Sequence, residues 1–186
     1  MSRLALLFAV AALVLALAAG CGSSGGGSET TTTGASATET WASGVCSSIT
    51  TWQAAITSAA GSLKSDPTTD GLQTAADDAK SATETLASDL KGLGKPDTAA
   101  GQQAQDSLEG LSTDLQQGVD TIDGAVKDAS GASGVLAAVS TVTGTLATMG
   151  TQVTTTVTDL QGLDTGELKD AFANSSACDS LTSSGS

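Results

Sequence analysis

The side chains best able to form or exchange a covalent bond in this sequence are three cysteines, Cys21, Cys46 and Cys178. A thiolate is a far better nucleophile near neutral pH than a hydroxyl, and a pair of thiols can close a disulfide. The other reactive groups are carboxylates: 20 acidic residues stand against 7 basic ones. Paired carboxylates could run acid–base chemistry or hold a hard cation. The closest groups are Asp77 with Asp78, Asp120 with Asp123, and Asp159 with Asp164. None follows the D-x-[DN]-x-[DN]-G spacing of a calcium loop, and nothing marks a cleft around them. They are expected to form a solvated acidic face, without a metal site and without a cofactor.

The residue types that are missing narrow the chemistry further. There is no histidine, and Arg3 is the single arginine. The commonest general base and metal ligand is therefore absent, as is a bidentate grip on phosphate or carboxylate beyond position 3. A net charge of −13 should repel nucleic acid. Two short motif matches lack their context. Gly22-Ser23-Ser24-Gly25-Gly26 fits G-x-S-x-G but has no strand before it and no helix after it. Ser88-Asp89-Leu90-Lys91 fits S-x-x-K without its partner motifs, so Lys91 reads as a charge near a helix C-terminus. The Asn174-Ser175-Ser176 sequon matches only by pattern. No enzyme is expected.

Cys21 differs from the other two by what precedes it. After Met1-Ser2-Arg3 comes an apolar run over residues 4–19, then Gly20-Cys21. One cation followed by a short apolar run is the pattern of a secretory signal. Leu17-Ala18-Ala19-Gly20-Cys21 resembles the lipobox of bacterial lipoproteins, with Ala18 where that family more often has Leu. The resemblance implies cleavage before Cys21, diacylation of its sulfur, and attachment to the outer face of the cell membrane. Two acyl chains hold a bilayer stably where one holds it marginally. Residues 22–38 (GSSGGGSETTTTGASAT) contain no large apolar side chain and read as a flexible tether spanning roughly 20–25 Å. The expected organisation is a lipoprotein signal peptide over 1–20, a lipidated tether over 21–38 and a folded domain over 39–186.

The elements of that domain follow from apolar spacing. Steps of three and four residues link Trp41, Val45, Ile49, Trp52, Ile56, Ala59 and Leu63. The same period runs from Leu72 to Leu93, from Ala100 to Ala129 and from Leu136 to Leu160. This is the amphipathic-helix template, four times over. The fourth segment is rich in Thr and Val, which favour strands, but its period decides for helix. Breaks are expected at 65–69, with Asp70 and Gln73 as a capping pair, at 92–96, with Asp97 as N-cap, and at 130–134. Connections this short suit antiparallel neighbours. The fold class is all-α: an up-down-up-down four-helix bundle, with a short C-terminal helix through Leu168 and Phe172.

That topology returns the end of helix four to the start of helix one, where Cys46 lies. Cys46 and Cys178 are then expected to pair in an exported chain. Their disulfide would close a loop of roughly 130 residues, nominally ~4–5 kcal/mol by chain entropy. Cys46 lies about 140° off the apolar stripe, at ~100° per residue, so the tail should clip to the flank of helix one. Trp41 and Trp52 share one face, either as an aromatic ligand cleft or as core. Their company with Val45, Ile49 and Ile56 favours core. Gly110, Gly118, Gly124, Gly144 and Gly150 fall inside helices, where each costs ~0.8–1 kcal/mol relative to Ala. Either helices pack closely there or the bundle is soft.

The segment from Trp41 to Trp52, WASGVCSSITTW, resembles the opening helix of small exported proteins of high-GC Gram-positive bacteria. Those proteins pair this cysteine with one near the C-terminus and mostly lack an assigned function. Together these features lead to the expectation of a lipid-anchored, non-enzymatic module of the cell envelope. Its partner would be the membrane through Cys21, with either an envelope protein or a small apolar ligand bound between helices.

Overall fold

In the computed structural model, residues 36–163, 166–179 and 181 are described. The apolar run, Cys21 and most of the expected tether lie outside them, as do Asp164 and Thr165. The first helix, α1 (Ala37–Ser65), starts two residues before the expected boundary because Ser36 caps it. The Ser36 hydroxyl accepts from the Glu39 N–H at 3.1 Å, and the Glu39 carboxylate accepts from the Ser36 N–H at 2.6 Å. This reciprocal box satisfies two otherwise orphaned donors.

The second helix, α2 (Thr69–Leu93), is capped by Thr68, which accepts from the Gly71 N–H; Asp70 and Gln73 are not its capping pair. Pro67 holds its neighbours out of helical geometry, and Thr68, extended at ψ 171°, becomes the last non-helical residue. The third, α3 (Gly101–Asp128), begins four residues beyond Asp97, with no side-chain cap. The reason is a turn after Pro96: Thr98 N–H donates to the Pro96 carbonyl and Gly101 N–H to the Thr98 carbonyl. The fourth, α4 (Gly131–Gly162), follows a break of only Ala129 and Ser130, shorter than the five residues expected. Gly131 has φ 65°, a left-handed value that reverses the chain at little cost in glycine alone. A short α5 (Glu167–Asn174) and a 3₁₀ turn (Ser176–Cys178) follow.

The Thr-rich α4 is helical throughout. Its periodic apolar residues Val142, Leu146, Met149, Val153, Val157 and Leu160 are buried on one side, and that burial outweighs local β preference. The threonines also adapt to the helix. Thr141, Thr148, Thr151, Thr154 and Thr158 each donate a hydroxyl hydrogen bond to the carbonyl four residues earlier, at 2.9–3.2 Å.

The long helices pack in sequence order, α1 on α2, α2 on α3 and α3 on α4. Contact between α1 and α4 is slighter, and α5 with the 3₁₀ turn packs instead against α1. The bundle is thus closed at one end by a fifth element. Of the five helix glycines singled out above, Gly118 is pressed against a neighbour: a Cβ there would lie 2.7 Å from the Met149 sulfur. Gly110, Gly124, Gly144 and Gly150 face open space.

Candidate functional site

Two places gather the side chains singled out in the sequence. The first is the closed end. Cys46 and Cys178 are joined by a disulfide with Cα atoms 5.1 Å apart, and both are almost fully buried. The tail does clip to α1, but its clip point is inside the protein: α5 and the 3₁₀ turn cover the flank on which Cys46 lies. Trp41 belongs to the same end. Its indole N–H donates to the Gly94 carbonyl at 2.9 Å, and its ring meets Phe172 edge-on, with centroids 6.0 Å apart and planes at 82°. One residue of α1 therefore ties down both the α2 C-terminus and α5. Gly44 allows Leu93 close against α1, since a Cβ there would sit 2.6 Å from a Leu93 methyl. A cavity of about 240 Å³ opens beside the disulfide, bordered by Gln161, Lys169, Phe172 and Asp179 among others.

The second place surrounds Trp52, which is 2% exposed. Its indole N–H donates to the Thr83 hydroxyl of α2 at 3.2 Å. Outside this pair runs a groove between α1 and α2 of about 360 Å³, bordered by Trp52, Leu86, Ala82, Thr51, Asp78 and Asp89 among others. Both tryptophans are therefore core residues with satisfied N–H groups, and Trp52 also borders a groove. The partners Gly94, Phe172 and Thr83 escape sequence reading. A hydroxyl at a buried helix position was the one available hint, since Thr83 falls one turn before Leu86 on the apolar side of α2.

No family model, curated protein or solved structure matches this chain.

The charged residues are not spread evenly over the bundle. Helix α2 carries Asp70, Asp77, Asp78, Glu84 and Asp89, with Lys80 and Lys91. Helix α3 carries Asp106, Glu109, Asp114, Asp120, Asp123 and Asp128, with Lys127. By contrast α1 has only Glu39 and Lys64, at its two ends, and α4 has only Asp159, in its last turn. Among the described residues, no three carboxylate or cysteine side chains come together as a metal site. Lys91 does lie in the last turn of α2, where a cation favours the helix dipole.

Proposed function

We propose that this protein is a lipoprotein anchored to the extracytoplasmic face of the cell membrane, whose helical bundle is a non-enzymatic binding or interaction module of the envelope. The observation that supports this reading is the cysteine pairing. Cys46 and Cys178 are joined, which leaves Cys21 as the odd thiol directly behind an apolar run. A buried structural disulfide suits an oxidising compartment outside the cytoplasm. The sequence has no histidine and a single arginine, which weighs against an enzyme.

The test is fractionation of cells expressing the full chain or Cys21→Ala, with metabolic labelling by an alkyne fatty acid. The expected result is a labelled chain that pellets with membranes, and an unlabelled variant released from them. A Cys21→Ala chain that still pellets in full would sink the anchoring claim.

A second reading, a carrier of a small apolar ligand or lipid, is favoured by the groove at Trp52, with its apolar floor and hydroxyl rim. Titration with lipid or quinone extracts should then shift tryptophan emission and raise the melting temperature. If neither changes, the carrier reading fails.

A further inference from the structure

We infer that the groove between α1 and α2 binds a linear aliphatic polyamine, its terminal ammonium groups on Asp78 and Asp89 and its methylenes over Trp52. This names a ligand class for the binding module proposed above and rests on that reading, although the binding itself needs nothing from Cys21.

The polar atoms of the groove are biased towards acceptors. Asp78 and Asp89 present carboxylate oxygens, which only accept. Thr51 and Thr85 commit their hydroxyl protons to the carbonyls of Ser47 and Ser81, both at 2.9 Å, so what they offer a ligand is lone pairs. The indole N–H of Trp52 is already held by Thr83. Among the described residues, the lining includes no Lys, Arg, Asn or Gln. Other depressions on the bundle do carry such donors: Lys91 between α2 and α3, Lys169 beside the disulfide, Gln117 between α3 and α4, and Gln53 between α1 and α4. A rim of acceptors fits a ligand whose polar groups donate, and an ammonium group carries donors only.

Geometry sets the length of that ligand. Asp78 and Asp89 are eleven positions apart on α2. At ~100° per residue they lie within about 20° of one bearing, and at ~1.5 Å per residue they stand about 16 Å apart along the axis. An extended aliphatic chain advances ~1.2 Å per bond, so about thirteen bonds join two ammonium groups over that span, the length of spermine. Between the carboxylates the floor is apolar, formed by Trp52, Leu86 and the half-buried Ala55 and Ala82, and it suits methylenes. The volume of about 360 Å³ is that of a small-ligand site.

Charge separates this groove from the rest of the acidic surface. Helix α1 carries no charged residue between Glu39 and Lys64, so nothing on the facing helix neutralises the two carboxylates. Lys80 and Lys91 each follow one of the aspartates by two positions, which turns them ~160° away round α2 at ~100° per residue. Both carboxylates are exposed, so each ion pair is weak and screened by salt. One site per chain is expected, with a Kd of roughly 0.1–1 mM at low ionic strength.

The test is isothermal titration calorimetry of the full chain in a nonionic detergent at low salt. The probes are spermine, dodecamethylenediamine (the same length with two charges) and trimethylenediamine. Wild type is compared with Asp78→Asn, Asp89→Asn, their double variant, and the control Asp120→Asn/Asp128→Asn on α3, which removes equal charge. Helix CD shows that each is folded. The expected result is one site per chain for both long amines, with trimethylenediamine weaker by roughly fivefold or more. Each single variant should weaken dodecamethylenediamine roughly threefold to fivefold and the double variant about tenfold or more, with the control like wild type. Equal binding of the long and short diamines would overturn the inference. So would equal losses in the control and in the groove double variant, because the attraction would then be to the acidic bundle as a whole. An amine that changes neither heat nor tryptophan emission at millimolar concentration would also overturn it. Failure of the anchor reading shows elsewhere, in the pelleting of Cys21→Ala, so the two outcomes are separable.

Discussion

The indole N–H of Trp52 is satisfied by the hydroxyl of Thr83, 31 residues further along the chain and on a different helix, at 3.2 Å. Both side chains are at most 2% exposed. A buried donor without a partner costs most of its desolvation free energy, so this bond favours the register in which α1 lies on α2.

Thr83→Val keeps the shape of the side chain and removes the acceptor. It should lower stability by about 1–3 kcal/mol and change the Trp52 emission, as read by urea unfolding followed through fluorescence. Thr83→Ser should retain most of the wild-type stability. If Val and Ser variants unfold at the same urea concentration, the hydrogen bond carries no weight.

The Cys46–Cys178 bridge closes a loop with a sequence separation of 132. Reduction, or Cys46→Ala with Cys178→Ala, should cost about 2–5 kcal/mol and lower the helix-CD melting temperature by roughly 5–15 °C. The loss should appear first at the closed end. Trp41 loses Phe172 when α5 lifts, and that edge-on pair contributes ~0.5–1.5 kcal/mol beyond its buried area. An unchanged melting temperature on reduction would mean that α5 is held by packing alone.

Two glycines of α3 separate helix propensity from packing. Gly110 faces open space, so Gly110→Ala should stabilise by about 0.5–1 kcal/mol. At Gly118 a new methyl would lie 2.7 Å from the sulfur and 2.8 Å from Cγ of Met149, which is itself buried. Overpacking of ~1–3 kcal/mol should cancel or exceed the propensity gain. Equal stabilisation by both alanines in thermal unfolding would show that Met149 moves aside freely.

Much of this architecture is local in origin and so was legible in the residues. The three-four spacing from Trp41 to Leu160 determined four helices, because burying one stripe of each is the way such a chain removes its few large side chains from water. It decided the Thr-rich fourth segment correctly against its strand preference. An even number of long helices also determined that Cys46 and Cys178 would lie at the same end, and they pair.

Tertiary structure decided what depends on contacts between distant residues. Start points shifted at α2, α3 and α4 because Pro67, the turn after Pro96 and the left-handed Gly131 set the chain direction. The partners Thr83, Gly94 and Phe172 could not be read ahead, since a hydrogen bond or ring contact across 31, 53 or 131 residues leaves no periodic trace. The gathering of charge on α2 and α3 was present in the residues. Only packing, by turning the apolar stripe of α4 inward, decided which residues of that nearly uncharged helix stand outward.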